Sequence, residues 1–359
     1  GFALSPKGER ALFVARGDVF TVPIEKGPVR NLTNSSGAHD RQARWSPDGK
    51  KIAFISDLSG EDQLYLVDQD GKGKAEALTS GLAVQLNAPT WSPDGRRIAF
   101  TDKDGVIYVV TVADRKLVQA AKDEFGRGGD LAWSPDSQFL AFSLGNANGM
   151  RSLHAWGGAD AKLHRLTGDL FSVTEPVWDP EGRYLYALSR RDYAPQISNL
   201  EFDYAGNRNM DVIAYALRRD VAHPFPPESD EVGAASEKKE EGVKKPEATK
   251  SPAAVRIDWE GFEQRGSRVP LPAENLSGLE ATKGFLLYSK NQPFVYGEAN
   301  GRRGGGNSLW IFDLKKRQES ELLPEVQGWT LSQDGNKLLA RTGQGPAASY
   351  QLLDARPKA

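Results

Sequence analysis

The sequence contains no cysteine, which excludes disulfide frameworks, thiolate metal sites, iron–sulfur clusters and a thiol nucleophile, and leaves oxidising and reducing compartments equally open. Histidine is scarce as well. His39, His154, His164 and His223 are scattered, and no third ligand accompanies His154 and His164, so neither a metal site nor a cofactor is expected. Charge of one sign is not in excess: 46 Lys and Arg against 48 Asp and Glu leave −2, which removes the electrostatic footprint of a nucleic-acid or anionic-membrane partner. Long apolar runs are missing too, the longest, Val106 to Ala113, being interrupted by Thr111 and far too short to span a bilayer. The chain also lacks a Gly-x-Ser-x-Gly elbow, a phosphate loop, a dinucleotide fingerprint and a His-Glu-x-x-His pair. No catalytic residue is expected within it.

What the chain has in abundance is turns and large rings: 37 Gly and 21 Pro, with 15 Phe, 10 Tyr and 8 Trp, a balance that favours β structure. A repeat organises them. It reads Ala3-Leu-Ser-Pro-Lys-Gly8, Arg44-Trp-Ser-Pro-Asp-Gly49, Thr90-Trp-Ser-Pro-Asp-Gly95, Ala132-Trp-Ser-Pro-Asp-Ser137 and Val177-Trp-Asp-Pro-Glu-Gly182. The prolines at 6, 47, 93, 135 and 180 are separated by 41, 46, 42 and 45 residues, the length of a four-stranded propeller blade. Proline presets φ for a type I turn and glycine accepts the left-handed conformation that returns the chain as a hairpin. Alternating strands follow each turn, such as Lys51–Ile55, Arg97–Phe100 and Phe139–Phe142, then a third strand and a short fourth that ends in Leu-Thr at 32–33, 78–79 and 166–167. Trp45, Trp91, Trp133 and Trp178 are read as core, filling the wedge between neighbouring sheets.

Degenerate copies at Glu280–Gly284 and Leu331–Gly335 bring the count to seven. The expected fold is all-β: a single domain over 1–359, a seven-bladed propeller of four-stranded antiparallel blades. Pro180 to Ser332 spans 152 residues, about 60 more than two repeats need, and composition places the excess in a Lys/Glu/Pro-rich insertion at 224–254, read as flexible, between the third and fourth strands of blade five. The seventh repeat shows only three strands, so the ring is expected to lack full strand closure. Gly1 opens directly inside a repeat, and the expectation is a segment cut from a longer polypeptide. Loops that lead from one blade to the next crowd the mouth of a propeller's channel, and by that rule His39, Asp40, Arg41, Asn87, Asp130 and Glu175 are the candidate channel-mouth residues.

The repeat resembles that of the Tol-system periplasmic propeller, the prolyl-oligopeptidase group and tricorn-type proteases. Two stretches narrow the choice. Ser5–Pro23 with Val29–Thr33, and Asn209–Arg218 leading into His223–Glu231, are similar to the second, seven-bladed propeller of tricorn-type proteases. That resemblance implies a non-catalytic domain that admits extended peptides to an enclosed active site. It implies as partners the PDZ and serine-peptidase domains of the same parent chain, a homo-oligomeric parent and a cytoplasmic location, with no nucleic-acid or membrane partner. The alternative is a stand-alone Tol-like propeller that binds protein partners in the periplasm.

Overall fold

The computed structural model describes residues 1–126, 128–192, 195–197, 204–206, 208–226, 254–292 and 307–357. Blade one is built from Phe2–Leu4, Arg10–Ala15, Asp18–Pro23 and Arg30–Asn31, and blade two from Arg41–Trp45, Lys51–Ser56, Gln63–Asp68 and Glu76–Ala77. Blade three holds Thr90–Trp91, Arg97–Thr101, Val106–Thr111 and Leu117–Lys122; blade four holds Ala132–Trp133, Phe139–Gly145, Arg151–Gly157 and Leu163–Arg165. In blade five Ser172–Trp178, Tyr184–Arg190 and Met210–Ala216 are joined by Gly266–Arg268, and a separate hairpin pairs Pro195–Ile197 with Tyr204–Gly206. Each pairing is antiparallel, and within each blade the strands follow chain order, the small hairpin of blade five being inserted between its second and third strands.

Six sheets, not seven separate blades, make up the ring, and this corrects the sequence expectation. The sixth and seventh repeats share one six-stranded sheet of Leu276–Thr282, Phe285–Lys290, Asn307–Asp313, Gln318–Leu331, Lys337–Thr342 and Ser349–Asp354. Its fourth strand runs unbroken for 14 residues, serving first as the outer strand of the sixth repeat and then as the inner strand of the seventh. The cause is a connection reduced to Pro324 and Glu325, where a positive φ of 55° at Glu325 turns the chain with no room for a loop.

The turn chemistry repeats as expected. In blade two the Ser46 hydroxyl donates to Asp48 Oδ1 at 2.7 Å and accepts the Lys51 amide at 2.9 Å, while Asp48 accepts the Lys50 amide at 3.0 Å. The same bonds recur around Ser92, Ser134 and Ser332. Gly49, at φ +71°, packs against Pro6 of the preceding blade; blade four puts Ser137 in the same conformation at φ 63°, and its hydroxyl accepts the Asp94 amide across the seam at 3.0 Å. The Leu-Thr pairs lie just beyond the outer strands: the leucines are buried, and the hydroxyls of Thr33, Thr79 and Thr167 accept the amides of Val19, Leu64 and Leu153 in the third strands.

Apolar side chains collect between blades. Seven clusters correspond to the seven seams, and the one that closes the ring is the smallest, with Leu4, Ala11 and Leu339 buried beside Phe2 and Phe13, against nine to thirteen buried residues in the others. Tyr350 adds edge-on ring contacts at 5.3 Å to both Phe2 and Phe13. Among the described residues no strand is shared across this seam, and it closes by packing together with one backbone bond, from the Asp334 amide to the Pro6 carbonyl at 3.3 Å. Trp45, Trp133 and Trp178 are buried as expected and Trp91 is half-buried, and a ladder of indole bonds links blades: Trp91 Nε1 donates to Arg44 O at 3.4 Å, Trp133 to Thr90 O at 3.1 Å and Trp178 to Ala132 O at 2.9 Å.

Most of the 224–254 insertion lies outside the described residues. Its two roots are firmly held on either side of blade five. Phe225 is buried against Phe312 at the seam of blades five and six, while Val255 and Phe262 enter the core between blades four and five, the Val255 amide donating to Asp136 of the blade-four turn at 2.7 Å.

Candidate functional site

The residue before each tryptophan position is fixed by register. Ala3 faces Leu12, Arg44 faces Ala53, Thr90 faces Ala99, Ala132 faces Ala141, Val177 faces Tyr186, Glu280 faces Leu287 and Thr330 faces Leu339. Each is therefore the same step of its innermost strand, and together they make one layer around the axis of the ring. A cavity of about 640 Å³ lies on that axis, walled by Thr90, Ala132, Val177 and Glu280 of the layer. Asp130 and Glu175 stand at one end of it and Pro93, Pro135 and Pro180 at the other. A smaller space of about 360 Å³ continues past Glu280 to Thr330 and the turn at Ser332–Asn336.

Bulges shape this wall. In the second, fifth and sixth repeats the inner strand carries an extra residue just before the layer, with Gln42 at φ 54°, Glu175 at φ 50° and Gly278 at φ 64°. A bulge bends a strand and re-aims its side chains, and a non-glycine residue held in the left-handed region costs on the order of 1–3 kcal/mol. Only glycine adopts this conformation at no steric cost.

The structure separates the six predicted mouth residues into two groups. Asp130 and Glu175 are brought together on the axial cavity: Asp130 Oδ2 accepts the Ser143 hydroxyl at 2.5 Å and the Glu175 amide at 3.1 Å, and Glu175 Oε2 accepts the Leu279 amide at 3.0 Å. This relay ties blades four, five and six at one mouth. His39, Asp40, Arg41 and Asn87 do not line that cavity. The His39 amide donates to Asp57 at 2.7 Å, buried Asp40 accepts the Ser35 hydroxyl at 2.7 Å, Arg41 pairs with Asp62, and Asn87 bonds Thr101 and the Asp102 carbonyl. Those bonds hold the loops between blades.

Two charged positions of this layer were not among the predicted ones; Glu280 lines the cavity, and Arg44 is placed by register alone. Arg44 and Glu280 occupy equivalent places on blade two and the sixth repeat. Burial lowers the Arg44 pKa from its ordinary value. Burial, and secondarily the Glu175 carboxylate, push the Glu280 carboxyl up to about 7, although its side chain remains open to water in the lumen: the protein wall surrounds it without covering it. Burial also raises the Glu175 pKa, against the Leu279 amide, which favours its charged form. Arg44 was legible as the residue before Trp45, whereas Glu280 sits in a copy that has lost both tryptophan and proline.

Among the described residues no group of three or more His, Asp or Glu side chains is placed to hold an ion. His154 stacks on Phe142, and His164 lies flat on Trp259 with ring centroids 3.8 Å apart, so the two act as packing surfaces. What the cavity wall offers is fixed charge and backbone groups.

Comparison with known proteins agrees with this architecture. Tricorn protease homolog 1 of Streptomyces coelicolor is 26% identical over 336 residues, covering 91% of this chain and 31% of that protein, and the tricorn protease homolog of Saccharolobus solfataricus is 22% identical over 337 residues, covering 92% and 28%. The chain thus spans about a third of the length of these relatives. A crystal structure of the tricorn protease superposes over 98% of this chain and 33% of that one, with a TM-score of 0.79 at 18% identity, which speaks for the shared fold. The family model of the tricorn protease second beta propeller domain matches residues 1–349, and the chain belongs to that family.

Proposed function

We propose that this propeller is the access port of a tricorn-like serine peptidase whose catalytic domain lies outside the chain, that extended peptides pass along its axis, and that its outer surface serves assembly of a homo-oligomeric parent. The observation that carries the reading is the axial cavity, lined by the innermost strands of the third to sixth repeats and by Gln333 from the turn of the seventh. Function by exclusion needs only this: a lumen wide enough for an unfolded chain and too narrow for a folded one. The backbone of the inner strands and the polar layer supply contacts that are indifferent to most side chains, as a conduit requires.

This segment holds no cysteine, so a thiol placed in it is unique once any cysteine elsewhere in the parent has been replaced. In the full-length parent peptidase, a Thr90→Cys or Thr330→Cys variant places one thiol on the lumen, to be reacted with a bulky maleimide. Hydrolysis of extended peptides is expected to fall about tenfold or more on labelling, while labelling of a cysteine on the outer rim, at Val29, leaves it unchanged. Equal hydrolysis by the lumen-labelled and unlabelled enzyme would rule the port out. The isolated chain is expected to cleave no peptide.

A further inference from the structure

Five of the seven positions in the lumen layer are neutral: Ala3, Thr90, Ala132, Val177 and Thr330. Two carry charge, and the charges are opposite. Arg44 stands on blade two and Glu280 on the sixth repeat, three repeats apart one way around the ring and four the other, so they face each other across the lumen instead of meeting along one wall. Neither has an ion-pair partner among the described residues. Arg44 gives one Nη1 hydrogen to the carbonyl of adjacent Ala43 at 3.0 Å and is perturbed by burial alone; the one charge that acts appreciably on Glu280 is Glu175, of like sign. Other charged groups nearby are satisfied: Arg41 by Asp62, Asp130 by Ser143, Glu175 by the Leu279 amide.

Arg44 is half-buried and Glu280 stands open to the lumen, each without a counter-charge, so each keeps hydrogen-bonding capacity that a group on a passing chain can take up. We propose that this layer reads charge on a passing chain: it binds an extended polypeptide segment through a cationic group at Glu280, either a Lys or Arg side chain or a free N-terminal ammonium, and through a carboxylate at Arg44. The inference rests on the port reading above and adds a preference to it. A cation seated at Glu280 also relieves the repulsion between Glu280 and Glu175, and the guanidinium of Arg44 retains donors for a bidentate carboxylate contact. The neutral positions between the two charges let the rest of the segment pass without discrimination.

The test uses the 359-residue chain and four fluorescent peptides of about eight residues, ~28 Å when extended, that differ only in charge: one with Lys and Glu, one with Lys alone, one with Glu alone, one neutral. At pH 8 and low salt the doubly charged peptide is expected to bind about tenfold more tightly than the neutral one by fluorescence anisotropy. Arg44→Gln should erase the preference for Glu and keep that for Lys; Glu280→Gln should do the reverse. The exchanged pair Arg44→Glu with Glu280→Arg should restore the preference of the doubly charged peptide, which a merely structural role for either residue would not allow, and melting temperatures verify that each variant folds. If wild type binds all four peptides equally, or the single variants keep both preferences, the charge-reading layer is wrong and the port reading stands. If no peptide binds at any concentration reached, the charge-reading layer is wrong, and the port reading is decided by the labelling of the parent.

Discussion

Glu280 shows how one side chain can couple the lumen to pH. Its carboxyl is held at about 7 in the fold against an ordinary 4.5, so between those values the folded chain keeps a proton that the unfolded chain has released. The stability contributed by the neutral form is full below pH 4.5 and is lost as the pH rises towards 7. Glu280→Gln removes that loss. Thermal melts are expected to coincide for variant and wild type at pH 4 and to place the variant about 2 °C higher at pH 8, a modest gain because lumen water already screens the charge. A variant that melts lower than wild type at pH 8 would mean that Glu280 has a favourable partner in the fold. The residue scale is also where sequence reading reached least far. Loop position selected Asp130 and Glu175, which line one cavity, and by the same rule Asp40 and Arg41, which do not, because a rule about loops does not say which way a side chain is drawn by its hydrogen bonds.

Among the elements, the hairpin between the first two strands of each blade is the most legible, since its proline, carboxylate and glycine act locally and need no tertiary help. The serine that opens it does two jobs at once. Ser92 is fully buried, donates to Asp94 Oδ1 at 2.6 Å and accepts the Arg97 amide at 2.9 Å. Ser92→Ala leaves that amide and the carboxylate each short of a partner, and the expected cost is about 1–2 kcal/mol in urea unfolding. No measurable change would show that water takes over both bonds. Where the repeat decays, legibility decays with it: Glu280-Ala-Thr-Lys-Gly284 has neither tryptophan nor proline, and only strand pairing with Phe285–Lys290 shows which of its residues faces the lumen. The merging of the last two repeats was equally hidden. Five of the connections between repeats are loops, and nothing in Pro324-Glu325 announces that a strand passes through it unbroken.

The whole ring is held by seven seams of unequal strength, and its behaviour under stress follows from the weakest. Among the described residues six seams bury nine or more apolar residues each, while the seventh buries three and has no shared strand. Since blades contact only their neighbours, opening this seam breaks the circle while each remaining interface stays intact, the quasi-linear behaviour of a repeat array. Leu339, 4% exposed, is the one buried residue that the seventh repeat contributes there. Leu339→Ala removes its packing at a cost of about 3 kcal/mol, and the effect should be local: hydrogen exchange is expected to quicken first in Phe2–Leu4 and Ser349–Asp354, with the strands of blades three and four unchanged. An equal change in a wider seam, Leu140→Ala between blades three and four, should instead raise exchange throughout the ring, because that interface opens only when its neighbours do. Uniform acceleration in both variants would mean that the ring unfolds as one cooperative unit, and that packing at the closing seam, though sparse, is as binding as a shared strand.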